Sequence, residues 1–165
     1  MARHKSDLLE PSLIKLSGLM RYMLYEANES KVSTAQEIDY IKNYIELQKM
    51  RFGDDIDIRT TIEDENNDYV IEPMLLIPLV ENGFKHGVAA GNNQFISVNL
   101  TIGNNAVSLN VKNSFAKDGG TKDNNSGIGL NNLRARLNLL YPERHKLTIE
   151  EDRNVFNANL TIKLR

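Results

Sequence analysis

A chain of 165 residues with 41% hydrophobic and 25% charged side chains has room for one ordinary globular domain and a short appendage. A formal net charge of -2 excludes a general basic field for nucleic acid, and the lack of cysteine excludes a disulfide frame or a thiolate zinc site. No run approaches the roughly 18 apolar residues of a membrane span, and no signal peptide is visible.

From the N-terminus, Leu9, Leu13, Leu16, Met20, Met23 and Ala27 repeat at spacings of 4, 3, 4, 3 and 4, with Pro11 in the first turn. This is a heptad-type seam of fewer than three heptads. It either meets a partner helix or packs on its own domain. Thr34-Ala35-Gln36-Glu37 fits a capping box and opens a second helix with Ile38, Ile41 and Ile45 inward. Gly53 ends that helix. Ile56, Ile58, Thr60 and Ile62 then alternate as a half-buried strand, followed by a polar turn over residues 63–68. An apolar run beginning at Pro73 predicts a helix reaching Gly87. Ile96 to Ile102 and Val107 to Val111 alternate as two strands around the hairpin turn Gly103-Asn104-Asn105. Residues 115–126 hold little to bury and predict a mobile loop or lid. Leu130, Leu133, Leu137 and Leu140 then recur at helical spacing until Pro142 stops them. Leu147 with Ile149, and Phe156 to Leu164, form two last strands around a tight turn at residues 152–154. About five one-faced strands and three helices on one core make a two-layer α/β sandwich of the α+β class.

Two stretches carry chemistry. In the helix from Pro73, Asn82, Lys85 and His86 stand at i, i+3 and i+4 and share a face, opposite Leu76, Leu79, Val80 and Phe84. The set suits a metal–phosphate group. An Asn carbonyl is a hard oxygen ligand for Mg2+, which takes other ligands from water and phosphate. Lys85 offers a point charge to a phosphate oxygen, or is a solvated charge. His86 meets phosphate or its water shell, or is a satisfied helix-end histidine. Glu81 orients or deprotonates the attacking group, or pairs with Lys85 one turn on. Some 45 residues later, Gly127-Ile128-Gly129-Leu130 opens a helix. Its glycines admit close approach and its free N–H groups favour phosphate. Arg134 and Arg136 read as a solvated face, and Tyr22, Tyr25, Tyr40 and Tyr44 as packing residues.

Three stretches, in order, resemble the LytS-type sensor histidine kinases. Leu79-Val80-Glu81-Asn82-Gly83-Phe84-Lys85-His86-Gly87 is similar to their N box. Gly127-Ile128-Gly129-Leu130-Asn131-Asn132-Leu133 is similar to their second glycine box. Tyr40-Ile41 through Arg51-Phe52-Gly53 also has a counterpart, so the resemblance runs from about Leu13 to the C-terminus. It implies a Bergerat-type fold whose helices and lid enclose ATP with Mg2+. It implies a helical segment over residues 1–30, the second half of a dimerisation stem, and an ATP-binding catalytic domain over residues 31–165. The expected cofactor-binding residues are Asn82, Lys85, His86, Asn113, Gly127, Gly129 and Leu130, with Asn82 on the metal and Glu81 and Asn82 catalytic.

The family's first glycine box normally carries an aspartate that accepts from the adenine amine. Asn113 stands in its place, and the usual glycine beyond is missing. Asn113 can still accept through its carbonyl oxygen, more weakly than a carboxylate, or it is a strand-end turn former. Pro78 occupies the position of the water-activating glutamate of gyrase-like relatives, which argues against strong ATP hydrolysis. None of the three histidines, His4, His86 and His145, lies in the family's acceptor motif. The resemblance therefore implies a cytoplasmic fragment of a membrane-anchored bacterial kinase, inactive alone without its acceptor histidine. It would dimerise in the full protein, pair with a response regulator, and meet membrane only through upstream segments. The competing readings are a nucleotide-independent or regulatory protein-binding module of the same fold, and a stand-alone gyrase-like ATPase.

Overall fold

The computed structural model describes residues 9–65, 69–87, 94–115 and 126–164. In chain order these form α1 (Leu9–Arg21), a π-helical turn (Tyr22–Glu26), β1 (Val32–Ser33), α2 (Thr34–Phe52), β2 (Asp57–Asp64), β3 (Val70–Ile71), α3 (Ile77–Gly87), β4 (Phe95–Gly103), β5 (Ala106–Ser114), α4 (Ser126–Leu140), β6 (His145–Asp152) and β7 (Val155–Lys163). The main sheet has the order β2-β4-β5-β7-β6. Only its β2–β4 pair is parallel, so β2 must return through a crossover that contains α3.

Period-two patterning explains the layers. Ile96, Val98, Leu100 and Ile102 of β4, Val107, Leu109 and Val111 of β5, and Phe156, Ala158, Leu160 and Ile162 of β7 all point to the buried face. The opposite face is polar. There Asn110 donates to Asn157 and Asn159 Oδ1, each at 2.7 Å, and accepts from Asn99 at 3.4 Å. Helices therefore cover one face only. The α3 stripe of Leu79, Val80 and Phe84 is fully or nearly buried against it, at roughly 1.5–3 kcal/mol per side chain. Leu133 and Leu137 of α4, and Ile38, Ile41 and Ile45 of α2, complete the layer. The hairpin at Gly103 closes through Asn104 and Asn105 with φ of 50° and 58°, which asparagine tolerates.

Several local expectations need correction. Helix α3 starts at Ile77, not Pro73, because Met74 takes the left-handed φ of 58° and cannot continue a helix from Pro73. The capping box sits one residue earlier than Thr34. Ser33 accepts from Gln36 N at 3.2 Å, and Gln36 Oε1 accepts from Ser33 N at 2.8 Å. Both frames satisfy the pattern, but Glu37 is drawn into the interior and is not available as a cap. The β1–β3 ribbon joins Val32 to Ile71 and was not expected, since two residues per strand leave no periodicity to read. The seam along α1 does not pack on this domain. Leu9, Leu13, Leu16, Met20 and Met23 stay exposed, while Leu19 and Tyr22 turn into the core beside α2. Residues 116–125 of the expected lid lie outside the described residues.

Candidate functional site

The site is built where α3 crosses the end of β5. Pro78 is accommodated in the first turn of α3, where its missing N–H costs nothing. The helix then carries Asn82 and His86 half-buried and Lys85 exposed on one face, as the i, i+3, i+4 spacing requires. Its other face is anchored by Phe84, whose ring meets Tyr44 of α2 edge-on at 5.6 Å.

Two glycines set how closely α3 approaches the sheet. A methyl group at Gly83 would stand 2.7 Å from Val111 Cγ1, and one at Gly87 would stand 2.9 Å from Ile96 Cγ1 and 3.1 Å from Asn113 Cβ. Neither position tolerates a side chain without movement of a buried strand residue. The close approach brings the Asn82 turn against Asn113.

Asn113 is the most informative polar residue in the interior. It pairs across to Ile96 on β4 and Phe156 on β7 and has no exposed surface. Its Nδ2 donates to Ser114 O at 2.9 Å. Its Oδ1 is buried with no hydrogen-bond partner among the described residues. An added Gly83 methyl would lie 3.7 Å from that oxygen, so the orphaned acceptor faces the helix that bears Asn82. Native interiors seldom leave a buried acceptor unsatisfied, because the desolvation is not repaid. Ser114 adds a lock that sequence reasoning did not anticipate. Its Oγ accepts from Phe95 N at 3.1 Å and reaches Gly87 O at 3.3 Å, tying the end of α3 to the start of β4.

Glu81 is exposed by area, yet desolvation raises its carboxyl pKa above the ordinary 4.5. Burial, and then the Glu81 charge, push the phenols of Tyr40 and Tyr44 up to about 12. The glycines Gly127 and Gly129 fall in the first turn of α4 (Ser126–Leu140), as expected for a helix start, and Gly129 faces open space. Leu130 is half-buried against the core. Arg136 corrects the expectation of a solvated face: it is half-buried and donates to Pro73 O at 2.9 Å and Met74 O at 3.0 Å. Arg134 is exposed. His145 Nδ1 lies 2.8 Å from Tyr141 O.

The comparisons with known proteins bear on this arrangement. Residues 1–56 match the model of the family described as histidine kinase. Sensor protein LytS of Oceanobacillus iheyensis is 35% identical over 98 residues, 59% of this chain and 17% of that protein. Over these stretches the chain is similar to LytS-type sensor histidine kinases. Sensor protein kinase HptS of Staphylococcus aureus is 37% identical over 73 residues, 44% of this chain and 14% of that protein. The chain thus spans under a fifth of the length of the curated relatives it matches. Among solved structures, the nucleotide-free catalytic domain of histidine kinase ThkA superposes with a TM-score of 0.52 at 20% identity, over 81% of this chain and 93% of that one. ThkA in complex with the response regulator TrrA gives 0.54 at 18% identity, over 96% of this chain and 50% of that one. These structures establish the shared histidine kinase ATPase-domain fold.

Proposed function

We propose that this chain binds ATP with Mg2+ and presents the γ-phosphoryl group to a histidine of a segment other than those seen here, for relay to a response regulator. The observation that carries the reading is Asn113 Oδ1, a buried acceptor without a partner among the described residues, next to the helix bearing Asn82. Adenine would supply the missing donor through its exocyclic amine. Because Asn113 Nδ2 is committed to Ser114 O, the free end of the amide is an acceptor. A base with a carbonyl at that position would set oxygen against oxygen, so the site favours adenine over guanine.

The phosphates would lie along the outer face of α3. Asn82 would give its carbonyl oxygen to the metal, and Lys85 and His86 would meet phosphate oxygens or their waters. The first turn of α4, with Gly127, Gly129 and Leu130, would close the far side with backbone N–H groups. Among the described residues no three His, Asp or Glu side chains converge, which suits an ion held by one amide and by phosphates. Mg2+ would neutralise charge on the phosphate tail; the protein's part is positioning. Glu81, with its raised pKa, would orient or take the proton of the attacking group. Pro78 in place of a water-activating carboxylate supports transfer over hydrolysis. Among the described residues no helix is long and apolar enough to cross a membrane. A cytoplasmic setting, a membrane anchor elsewhere in the protein and a homodimer joined through α1 belong to the same proposal. The exposed apolar seam of α1 supports the last of these.

Thermal or denaturant unfolding during an ATP–Mg2+ titration tests the reading. A ligand at 100 times its dissociation constant adds about 2.7 kcal/mol to stability. Wild type should gain this and Asn82→Ala should not, although both fold. No gain for wild type, or an equal gain for both, leaves a protein-binding module of the same fold. Transfer to a separately supplied acceptor helix identifies the kinase, and multiple-turnover phosphate release identifies an ATPase.

A further inference from the structure

The entry to α3 is held from three sides. Glu37 of α2 is 1% exposed, and its Oε1 accepts from Met74 N at 2.7 Å while its Oε2 accepts from Leu76 N at 3.4 Å. The same Oε1 accepts the hydroxyl proton of Tyr22. Arg136 of α4 holds the carbonyls of Pro73 and Met74, and Tyr141, just past α4, donates to the Glu72 carboxylate. Met74 sits at φ 58°, a left-handed conformation that is strained for a non-glycine residue. Such strain persists only where its surroundings over-determine it.

One side chain in this joint reaches in two directions. Tyr22 opens the π-helical turn that ends the N-terminal helix, and it stacks on Tyr40 with ring centroids 4.7 Å apart. Burial first, then the Glu37 bond, raises the Tyr22 hydroxyl above its ordinary value, so it stays a donor. Glu37 therefore serves one donor from the N-terminal helical segment and two from the turn that launches α3. Three donors on one buried group require an acceptor with no hydrogens of its own, which a carboxylate supplies and an amide does not.

We propose that Glu37 is a positioning residue that ties the setting of the N-terminal helix, through Tyr22, to the placement of α3 and the residues it carries. That α3 carries a nucleotide site rests on the reading above; the mechanical tie does not. The joint makes α3 respond to Tyr22 through Glu37. By linkage, whatever binds on α3 biases the N-terminal helix equally.

Hydrogen exchange on the whole 165-residue chain tests this in wild type, Tyr22→Phe, Glu37→Gln and the double variant. Tyr22→Phe should speed exchange of α3 amides about 5-fold or more. It should leave β7 unchanged and add nothing further in α3 once Glu37 is Gln. A change confined to α1 and α2, an equal loosening of β7, or additive effects in the double variant overturns the proposal. If Glu37→Gln does not fold, the location of the Tyr22→Phe effect decides alone: α3 supports the tie, and its sparing refutes it. A parallel ATP–Mg2+ titration separates the two readings. If wild type binds no nucleotide, the nucleotide reading falls and the exchange data still judge Glu37. If wild type binds, Tyr22→Phe should weaken affinity by a factor similar to the α3 effect, and an unchanged affinity breaks the link to the site.

Discussion

Replacing Asn113 with alanine separates a ligand-facing residue from a structural one, because the two roles predict opposite outcomes. Asn113 is wholly buried and, among the described residues, makes one side-chain hydrogen bond, to Ser114 O at 2.9 Å, and leaves Oδ1 unpartnered. Loss of the bond costs about 0.5–1.5 kcal/mol, whereas removal of an unsatisfied buried acceptor returns about 1–3 kcal/mol. Ser114 is half-buried, so its carbonyl can turn toward water. The small space left by the amide offsets part of the gain, and the net change in stability should stay within about 1 kcal/mol. ATP binding responds differently. The adenine amine would lose its acceptor in a dry site, at about 1–3 kcal/mol, or roughly 5- to 150-fold in the dissociation constant. Urea unfolding without nucleotide and calorimetric titration of ATP–Mg2+ measure the two effects on one preparation. Asn113→Asp should move both the other way: an unpaired buried carboxylate destabilises the free protein, and a charge-assisted bond tightens ATP. The reasoning is refuted if Asn113→Ala loses more than about 2 kcal/mol of stability and keeps its ATP affinity.

Other variants probe the remaining geometry. Gly83→Ala would gain up to about 1 kcal/mol of helix propensity, but its methyl would meet Val111 at 2.7 Å, and forcing that strand costs about 1–3 kcal/mol. A net loss in urea unfolding, with weaker ATP binding as α3 lifts from Asn113, is the expected result; a more stable protein with intact binding contradicts the close approach. Glu81 has a raised pKa in the folded state, so the native protein holds its proton to higher pH than the unfolded chain does. Stability should therefore fall as pH rises from the ordinary carboxylate value near 4.5 through the folded one, and Glu81→Gln should flatten that slope. Unfolding midpoints from pH 4 upward check the sign, and identical profiles for the two proteins would remove the desolvation argument.

Much of this protein was legible in one dimension. The three inner strands β4, β5 and β7 each have one wet and one dry face, so strict alternation from Ile96 to Ile102 and from Phe156 to Leu164 marks the strands and their buried sides. The Asn82, Lys85 and His86 spacing survived because α3 is an ordinary helix, and helical geometry alone puts those positions on one side. Sequence alone misplaces the α3 start because what rules out a start at Pro73 is not local. Met74 is driven left-handed by Glu37, 37 residues earlier, and by Arg136, 62 residues later. Arg136 looked solvated for the same reason: nothing near it in sequence reveals the carbonyls it holds.

Local order thus determined which segments are helix or strand, and which side chains share a face, because those features depend on neighbours a few residues apart. The tertiary structure decided which polar atoms are left dry and who relieves them. That Asn113 ends with an unmet oxygen beside Gly83, and that Glu37 joins Tyr22 to Met74, follow from chain crossings tens of residues apart. Desolvation belongs to the packed assembly of segments, and no single segment carries it.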